Sequence, residues 1–306
     1  MDELKLEYKR KFKILYIILS SFILLFVFLP FVIVTSKNQT SYIGFIHTVL
    51  LDLSGFTSKT SILFTILFYI VSIGGGLSTI VFSILNIVIN ASKLKDGSAD
   101  VDNRFTYLSV SSYLIMTTGT ILIVSGLGKY GNYYSRLSIL FIFSLIALLV
   151  FGIIICVLKK RMYRNDYLEV SGTYFHRIMS IVFEIASILL LSTDLFGDDN
   201  VGFFQAFLIE FFKNSFYLEI AIAGLIVFIF SALGIIFKTK YFLTRSRGFQ
   251  SLLSFIQAVG AILLCIFIQQ YRGYIVLVAN WTVIVLAVIS CIKLLIDLFI
   301  GFIVGE

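Results

Sequence analysis

Long runs of apolar residues, separated by short polar segments, dominate the chain. A transmembrane helix needs about 20 consecutive apolar residues, and eight runs come near or exceed that length. They lie at residues 14–34, 61–90, 106–127, 137–158, 175–194, 217–237, 249–269 and 274–300. Alternation of period two is absent, and backbone groups in hydrocarbon must be satisfied within the segment, so each run is predicted to be a helix and not a barrel strand.

The composition agrees with a membrane protein. Of the 306 residues, 59% are hydrophobic and 13% are charged, whereas a soluble domain has about 45–50% apolar and about 25% charged residues. Soluble and disordered chains are therefore excluded. We predict an all-α polytopic membrane protein with eight transmembrane helices.

The cations indicate an orientation. Lys and Arg number 17 on the side of the N-terminus and 6 in the alternate loops. Because Lys and Arg concentrate in cytoplasmic loops, both termini are expected in the cytoplasm, with the protein integral to the cell membrane. The net charge of +7 is thus assigned to topology and not to nucleic-acid binding. The excess of Lys over Arg and the abundance of Phe, Ile and Asn indicate a bacterial source.

Two segments of the chain resemble each other. Residues 43–52 (IGFIHTVLLD) and 201–210 (VGFFQAFLIE) share Gly, Phe, Leu and an acidic residue in the same order, 158 positions apart. The same offset places Gly76 on Gly234. We therefore predict two tandem parallel four-helix repeats, 1–158 and 175–306, joined by a basic cytoplasmic linker at 159–174.

A short outer interfacial helix is predicted after the first span of each repeat. Apolar residues recur there at helical spacing, but the segments are too short to cross the membrane. Each helix either covers its own bundle or contacts a partner. The residues singled out are Gly44, Phe45, His47, Asp52, Gly202, Phe203, Gln205 and Glu210.

Polar residues inside the apolar runs are the candidates for function, since they are costly in hydrocarbon. Glu184 lies mid-span with no basic residue one turn away, and is either an ion or proton site or a hydrogen-bonded carboxyl that faces the bundle. Lys293 and Asp297 are four residues apart on one helix face and are predicted to pair. Further candidates for hydrogen bonds between helices are Asn86, Gln257 and Asn280.

Gly74, Gly75 and Gly76 interrupt the second apolar run. Three consecutive glycines inside a span indicate either close helix packing or a hinge. A phosphate-binding loop is excluded, because no Gly-Lys-Ser/Thr sequence follows.

No pattern of residues indicates an enzyme, a cofactor or a metal site. The two histidines lie outside the predicted centres of the spans, and no nucleophile motif or metal-ligand spacing is present. The favoured hypothesis is a non-enzymatic membrane scaffold or accessory subunit whose partners are membrane lipids and other membrane protein subunits. The alternative is a channel or transporter with its path between the two repeats.

Overall fold

The computed structural model describes residues 2–36, 39–45, 69–98, 100–130, 133–162, 170–191, 203, 215–244, 250–272 and 281–303. This part of the chain is mostly helical. Its helices are α1 (Asp2–Val27), α2 (Gly75–Lys95, preceded by a π-helical turn at Ile70–Gly74), α3 (Arg104–Tyr130), α4 (Ile139–Met162), α5 (Val170–Leu190), α6 (Ser215–Thr244), α7 (Gln250–Arg272) and α8 (Trp281–Ile303).

Each of the eight apolar runs overlaps one of these helices. Among the described residues, four helical segments are long and apolar enough to cross a membrane, at Ile70–Lys95, Leu218–Lys240, Gln250–Ile268 and Trp281–Leu298. The prediction of a mostly helical chain is confirmed, and these four segments are compatible with a membrane protein. The runs lack proline apart from Pro30, so nothing in them removes a backbone donor from the helical ladder.

The described helices expose mainly apolar side chains, and they bury polar side chains together with an apolar core. On α4, for example, Ile142, Phe143 and Ile146 are exposed, whereas Ser144 is buried. On α2 the exposed face carries Leu77, Val81 and Val88, whereas Asn86 and Asn90 are buried. Lipid can cover such apolar faces, and the buried polar groups find partners between helices.

A small antiparallel sheet departs from the all-helical prediction. Its strands are β1 (Val32–Ser36), β2 (Gln39–Ile43) and β3 (Tyr133–Leu137), in the order β2-β1-β3. Val32 is paired with Ile43 on one side and with Leu137 on the other. The sheet lies at the end of the bundle where α1 stops and α4 starts.

Pro30 explains why the first apolar run is not helical throughout. The helix stops at Val27, and the amides of Phe28 and Leu29 form i→i−3 bonds that tighten its last turn. Proline commonly follows the end of a helix because it cannot continue the ladder. The β-branched residues that follow then pair as a strand. The prediction of one helix over 14–34 is wrong for its last seven residues.

The helices pack in two groups that touch. α1 packs on α2 and α2 on α3, while α5, α6, α7 and α8 form a ring in which α8 returns to α5. The groups meet where α3 contacts α5 and α6, and where α4 contacts α1 and α5. Polar side chains buried within the second group form the candidate site.

Candidate functional site

Glu184 of α5 binds two lysines inside the second group of helices. The Nζ atom of Lys293, on α8, lies 2.8 and 2.9 Å from the two carboxylate oxygens of Glu184. The Nζ atom of Lys238, on α6, lies 2.8 Å from Glu184 Oε1. Both lysines lie on other helices. The carboxylate of Glu184 is therefore paired, although α5 itself has no basic residue one turn away.

Asp297 of α8 extends the same network. Its Oδ2 lies 3.3 Å from Lys238 Nζ and accepts a hydrogen bond from Ser254 of α7. Its Oδ1 lies 3.6 Å from His176 Nε2 and accepts from Ser180 at 3.5 Å, both on α5. Lys293 and Asp297 therefore share a helix face, as the spacing predicts, but the close ionic partner of each lies on another helix.

We call Glu184, Lys238, Lys293, Asp297 and His176 the charged cluster. The side chains of Glu184 and Lys293 are each 1% exposed, Lys238 is 2% exposed and Asp297 is 4% exposed. His176 is 14% exposed and forms the boundary of the cluster. Two carboxylates face two ammonium groups, so the cluster is neutral while His176 is uncharged. Balanced charge offsets the desolvation of each ion, which costs several kcal/mol in an interior.

Gly234 makes room for the Glu184 carboxylate. A Cβ atom at Gly234 would lie 2.4 Å from Glu184 Oε1 and 2.6 Å from its carboxyl carbon. The carboxylate therefore rests on the backbone of α6, one turn before Lys238. Any side chain at this position displaces the carboxylate from both lysines.

The sequence analysis did not identify Lys238 as a site residue, because the apolar run was taken to end at Phe237. The structure continues α6 to Thr244, and Lys238 is buried. Ser231, Gly234 and Lys238 follow one another at helical spacing, and their common face was the signal available in the sequence. Sequence also gave no indication that Ser180, Ser254 or His176 would meet Asp297.

A second polar group joins the helices of the first half. Asn86 of α2 donates to Ser20 Oγ at 2.6 Å and to the carbonyl of Tyr16 at 3.2 Å, both on α1. Its Oδ1 accepts from Thr106 of α3 at 2.9 Å and from Asn90 at 2.8 Å. We call Asn86, Asn90, Ser20 and Thr106 the asparagine cluster. Asn86 thus joins α2 to both α1 and α3.

Lys13 of α1 contacts the last turn of α2 and the segment that follows it. Its ammonium donates to the backbone carbonyls of Lys93 and Ser98, which ties α1 to the segment after α2. Burial lowers the pKa of Lys13, and the positive charge of Lys93 lowers it further.

Gln257 forms a hydrogen bond between helices, and Asn280 lies outside the described residues. The Gln257 amide of α7 donates to Ser231 Oγ of α6 at 2.7 Å. This bond lies one turn of α6 from Gly234 and so adjoins the charged cluster. It adds a neutral contact between two helices that the cluster also joins.

Two of the three consecutive glycines pack closely. A Cβ at Gly75 would lie 3.0 Å from Met116 Cβ, and one at Gly76 would lie 2.1 Å from the ring of Phe45. A Cβ at Gly74 would meet nothing within 4 Å among the described residues. Gly75 and Gly76 therefore allow close packing against their neighbours. Gly74 is the last residue of the π-helical turn.

The second half contains a matching contact. A Cβ at Gly224 of α6 would lie 2.1 Å from the ring of Phe203. Phe45 and Phe203 are the residues that the sequence alignment equates, and each ring lies against a glycine of the next helix. Gly44 also packs closely against the backbone at the end of α1. A Cβ atom at Gly44 would lie 2.6 Å from the carbonyl oxygen of Leu29. The other outer residues, His47, Asp52, Gly202, Gln205 and Glu210, lie outside the described residues.

A cavity of about 200 Å³ lies between the two halves. α1, α3, α4, α5 and α6 all contribute to its walls, and every lining residue except Thr239 is apolar. Glu184 does not line it. The charged cluster and this cavity are therefore separate features.

Among the described residues, no group of three or more His, Cys, Asp or Glu side chains is arranged to hold a metal ion. Comparison of the chain with protein-family models, with curated proteins and with solved structures found no match.

Proposed function

We propose that this chain is a non-enzymatic integral membrane protein that serves as a scaffold or accessory subunit of a membrane complex. The observation that supports the proposal is that the ions of the charged cluster are buried and paired with one another. Glu184 was the strongest candidate for a transport path, yet it is 1% exposed, is held by two lysines and rests on the backbone of Gly234. A buried network of this kind fixes α5, α6 and α8 relative to one another, and the hydrogen bond from Ser254 to Asp297 adds α7.

The proposal includes two tandem four-helix repeats that together cross the membrane eight times, with both termini in the cytoplasm. Equivalent contacts support the repeat. Phe45 lies against Gly76 as Phe203 lies against Gly224. An offset of 148 residues (Gly76 to Gly224) relates these glycines, so the packing favours Gly224, and not Gly234, as the counterpart of Gly76.

The same offset aligns the buried face of α2 that carries polar residues with a buried face of α6. It places Ser83 on Ser231, Asn86 on Gly234 and Asn90 on Lys238, all of them buried. Asn86 contacts Ser20 of α1, whereas Gly234 contacts Glu184 of α5. The charged cluster of one half thus takes the position of the asparagine cluster in the other, whose four members carry no charge.

In this proposal the lipid-facing and outer surfaces hold the partner. Exposed apolar side chains follow one face of α7 (Phe255, Val259, Ile262) and of α8 (Val288, Ile292). The partner is another membrane protein subunit, because a soluble partner has no apolar surface to match these faces.

Purification in a mild detergent tests the scaffold proposal. The tagged chain is expected to co-purify with a partner in a fixed ratio. The control is a variant in which the exposed Ile262 and Ile292 are replaced by Trp, which leaves the charged cluster untouched and should weaken the association. Recovery of the wild-type chain alone, folded and without a partner at any detergent tested, would contradict the proposal.

Transport remains a second candidate because the charged cluster reaches towards one surface. His176 is the most exposed member, and it contacts Asp297, which contacts Lys238. A chain of titratable groups of this kind is typical of proton relays. Flux measured in proteoliposomes decides between the two functions: an ion or proton flux in the wild type that is absent from folded Glu184→Gln protein supports transport, and no flux in either supports the scaffold.

A further inference from the structure

The cavity between the two halves has the chemistry of a lipid-tail site. We call it the inter-half cleft. Its walls include Leu19 of α1, Leu114 of α3, Leu148 of α4 and Ile181 of α5. Leu149 and Val182, at its edge, are exposed, so the cleft opens to the surroundings of the bundle. An apolar cavity of this kind does not retain ordered water, because it offers water too few polar partners.

The length of the inter-half cleft matches one leaflet of a bilayer. Along α4 it extends from Leu145 to Ile155, and at 1.5 Å per residue this distance is about 15 Å. The hydrocarbon core is about 30 Å thick. The cleft also approaches the end of α6 through Phe242 and the beginning of α5 through Ile178. It therefore extends from mid-membrane to the side on which these helices end and begin.

One polar group faces this apolar surface. The hydroxyl of Thr239 is buried and has no hydrogen-bond partner among the described residues, although Thr239 lines the cleft. A buried polar group without a partner costs free energy. A bound molecule with an acceptor at this depth, close to the end of α6, would satisfy the hydroxyl.

On α4, basic residues come directly after the residues that line the cleft. Lys159, Lys160 and Arg161 belong to the last turn of this helix. Ile155, at the end of the cleft, precedes Lys159 by four residues, which is about 6 Å along the helix. Basic residues next to a membrane surface attract anionic lipid headgroups. A hydrocarbon chain without a polar headgroup explains neither these cations nor the Thr239 hydroxyl.

We propose that the inter-half cleft binds one acyl chain of an anionic membrane phospholipid. The Thr239 hydroxyl donates to an ester carbonyl of the lipid, and the phosphate lies near Lys159, Lys160 and Arg161. The site does not depend on whether the chain is a scaffold or a transporter, so failure of this proposal and failure of the proposed function are measured separately.

Native mass spectrometry of the full chain tests the site with three probes: dioleoylphosphatidylglycerol, dioleoylphosphatidylcholine and oleate. One phosphatidylglycerol is expected to remain bound. Phosphatidylcholine should bind at least about fivefold more weakly, since each nearby cation contributes about 1 kcal/mol to anionic lipid binding. Oleate should be weaker than phosphatidylglycerol, because its single carboxylate stands in place of two polar groups, the ester and the phosphate.

Gly152→Leu blocks the cleft. A Cβ at Gly152 would lie 3.9 Å from Ile178 Cδ1 and from Phe242 Cζ, so the backbone accepts a side chain, and a longer one occupies the space of the lipid. We expect about a tenfold loss of phosphatidylglycerol binding, equal to about 1.4 kcal/mol. Gly74→Leu is the control, because its Cβ position has no neighbour within 4 Å among the described residues.

The Thr239 contact has its own pair of variants. Thr239→Val removes the hydroxyl at nearly constant volume and should weaken phosphatidylglycerol binding, whereas Thr239→Ser keeps the hydroxyl and should retain it. If Gly152→Leu does not fold, Val182→Phe fills the cleft from α5, with the exposed Val285→Phe on α8 as its control.

Three results overturn the proposal. The wild type retains no phospholipid, or it binds oleate or phosphatidylcholine as well as phosphatidylglycerol, or the folded cleft-filling variant binds phosphatidylglycerol as well as its control does. Each variant is first checked by thermal unfolding, so that loss of binding is read only from folded protein.

Discussion

Lys293 and Glu184 are 109 residues apart in the chain, yet the ammonium of the first lies 2.8 and 2.9 Å from the two carboxylate oxygens of the second. Both side chains are 1% exposed. The contact joins α5 to α8 at a depth where solvent does not reach. Lys238 shares the same carboxylate, so three helices meet at one buried anion.

Removal of the Glu184 charge is expected to destabilise the protein strongly. Glu184→Gln leaves two buried ammonium groups with only Asp297 to balance them, and loss of one partner from a buried ion pair costs about 3–5 kcal/mol. The free energy of unfolding in detergent or in nanodiscs measures the effect. The exposed Glu219→Gln on α6 is the control and should change stability by less than about 0.5 kcal/mol.

Charge balance predicts the behaviour of a double variant. Lys293→Met added to Glu184→Gln removes the surplus cation and leaves Lys238 paired with Asp297, so part of the lost stability should return. If the double variant is as unstable as the sum of the two single variants, the cluster is not governed by charge balance.

Gly234→Ala is expected to disrupt the charged cluster without removal of a charge. Its methyl group would lie 2.4 Å from Glu184 Oε1, and overpacking of this kind costs about 1–3 kcal/mol. Gly74→Ala adds the same methyl group where no described residue lies within 4 Å, so it should be neutral or slightly stabilising. Equal unfolding temperatures for the two variants would contradict the packing of Glu184 on Gly234.

The two phenylalanine–glycine contacts should respond alike. Gly76→Ala and Gly224→Ala each place a methyl group 2.1 Å from a phenylalanine ring, and each is expected to cost about 1–3 kcal/mol. Phe45→Leu and Phe203→Leu should relieve the respective clash in a double-mutant cycle. Rescue in one half but not in the other would weaken the case for equivalent repeats.

The asparagine cluster predicts a contrast between two buried residues of α2. Asn86→Leu leaves the hydrogen-bonding groups of Ser20, Thr106 and Asn90 without their shared partner, and this should cost about 1–3 kcal/mol. Ser83 is buried, and its hydroxyl has no hydrogen-bond partner among the described residues. Ser83→Ala should therefore leave the unfolding free energy nearly unchanged. A smaller loss for Asn86→Leu than for Ser83→Ala would be inconsistent with the network.

Cysteine labelling tests the orientation. In a chain whose three cysteines are replaced by alanine, Thr40→Cys in β2 and Lys95→Cys at the end of α2 both place a thiol at an exposed position. An impermeant maleimide should label the first in intact cells and the second only after permeabilisation. The reverse pattern contradicts cytoplasmic termini.

Hydropathy was sufficient to locate the helices. The run at 249–269 corresponds to Gln250–Arg272, and the run at 106–127 corresponds to Arg104–Tyr130. Long apolar segments are predictable because one local property, the lack of polar groups, determines the helical state in lipid. Glu184 was identified for the same reason, since a lone carboxyl in hydrocarbon is costly wherever its partner lies.

Partners distant in sequence could not be predicted. β1 pairs with β3 about 100 residues later, and nothing in Val32–Ser36 distinguishes a short strand from the end of an apolar helix except Pro30 before it. Lys238 lies at the edge of an apolar run. At such a position, a lysine that begins a cytoplasmic loop and a lysine that is buried in the bundle have the same neighbours in sequence. In both cases the contact is decided by tertiary packing and not by local propensity.

The distribution of charges among the helices has a consequence for biosynthesis. α5 contributes one anion and α6 one cation, while α8 contributes Lys293 and Asp297 together. If these helices enter the bilayer in chain order, Glu184 waits for a counterion only until α6 brings Lys238, and α8 then adds an anion and a cation together, so the charge of the cluster is balanced after α6 and again after α8.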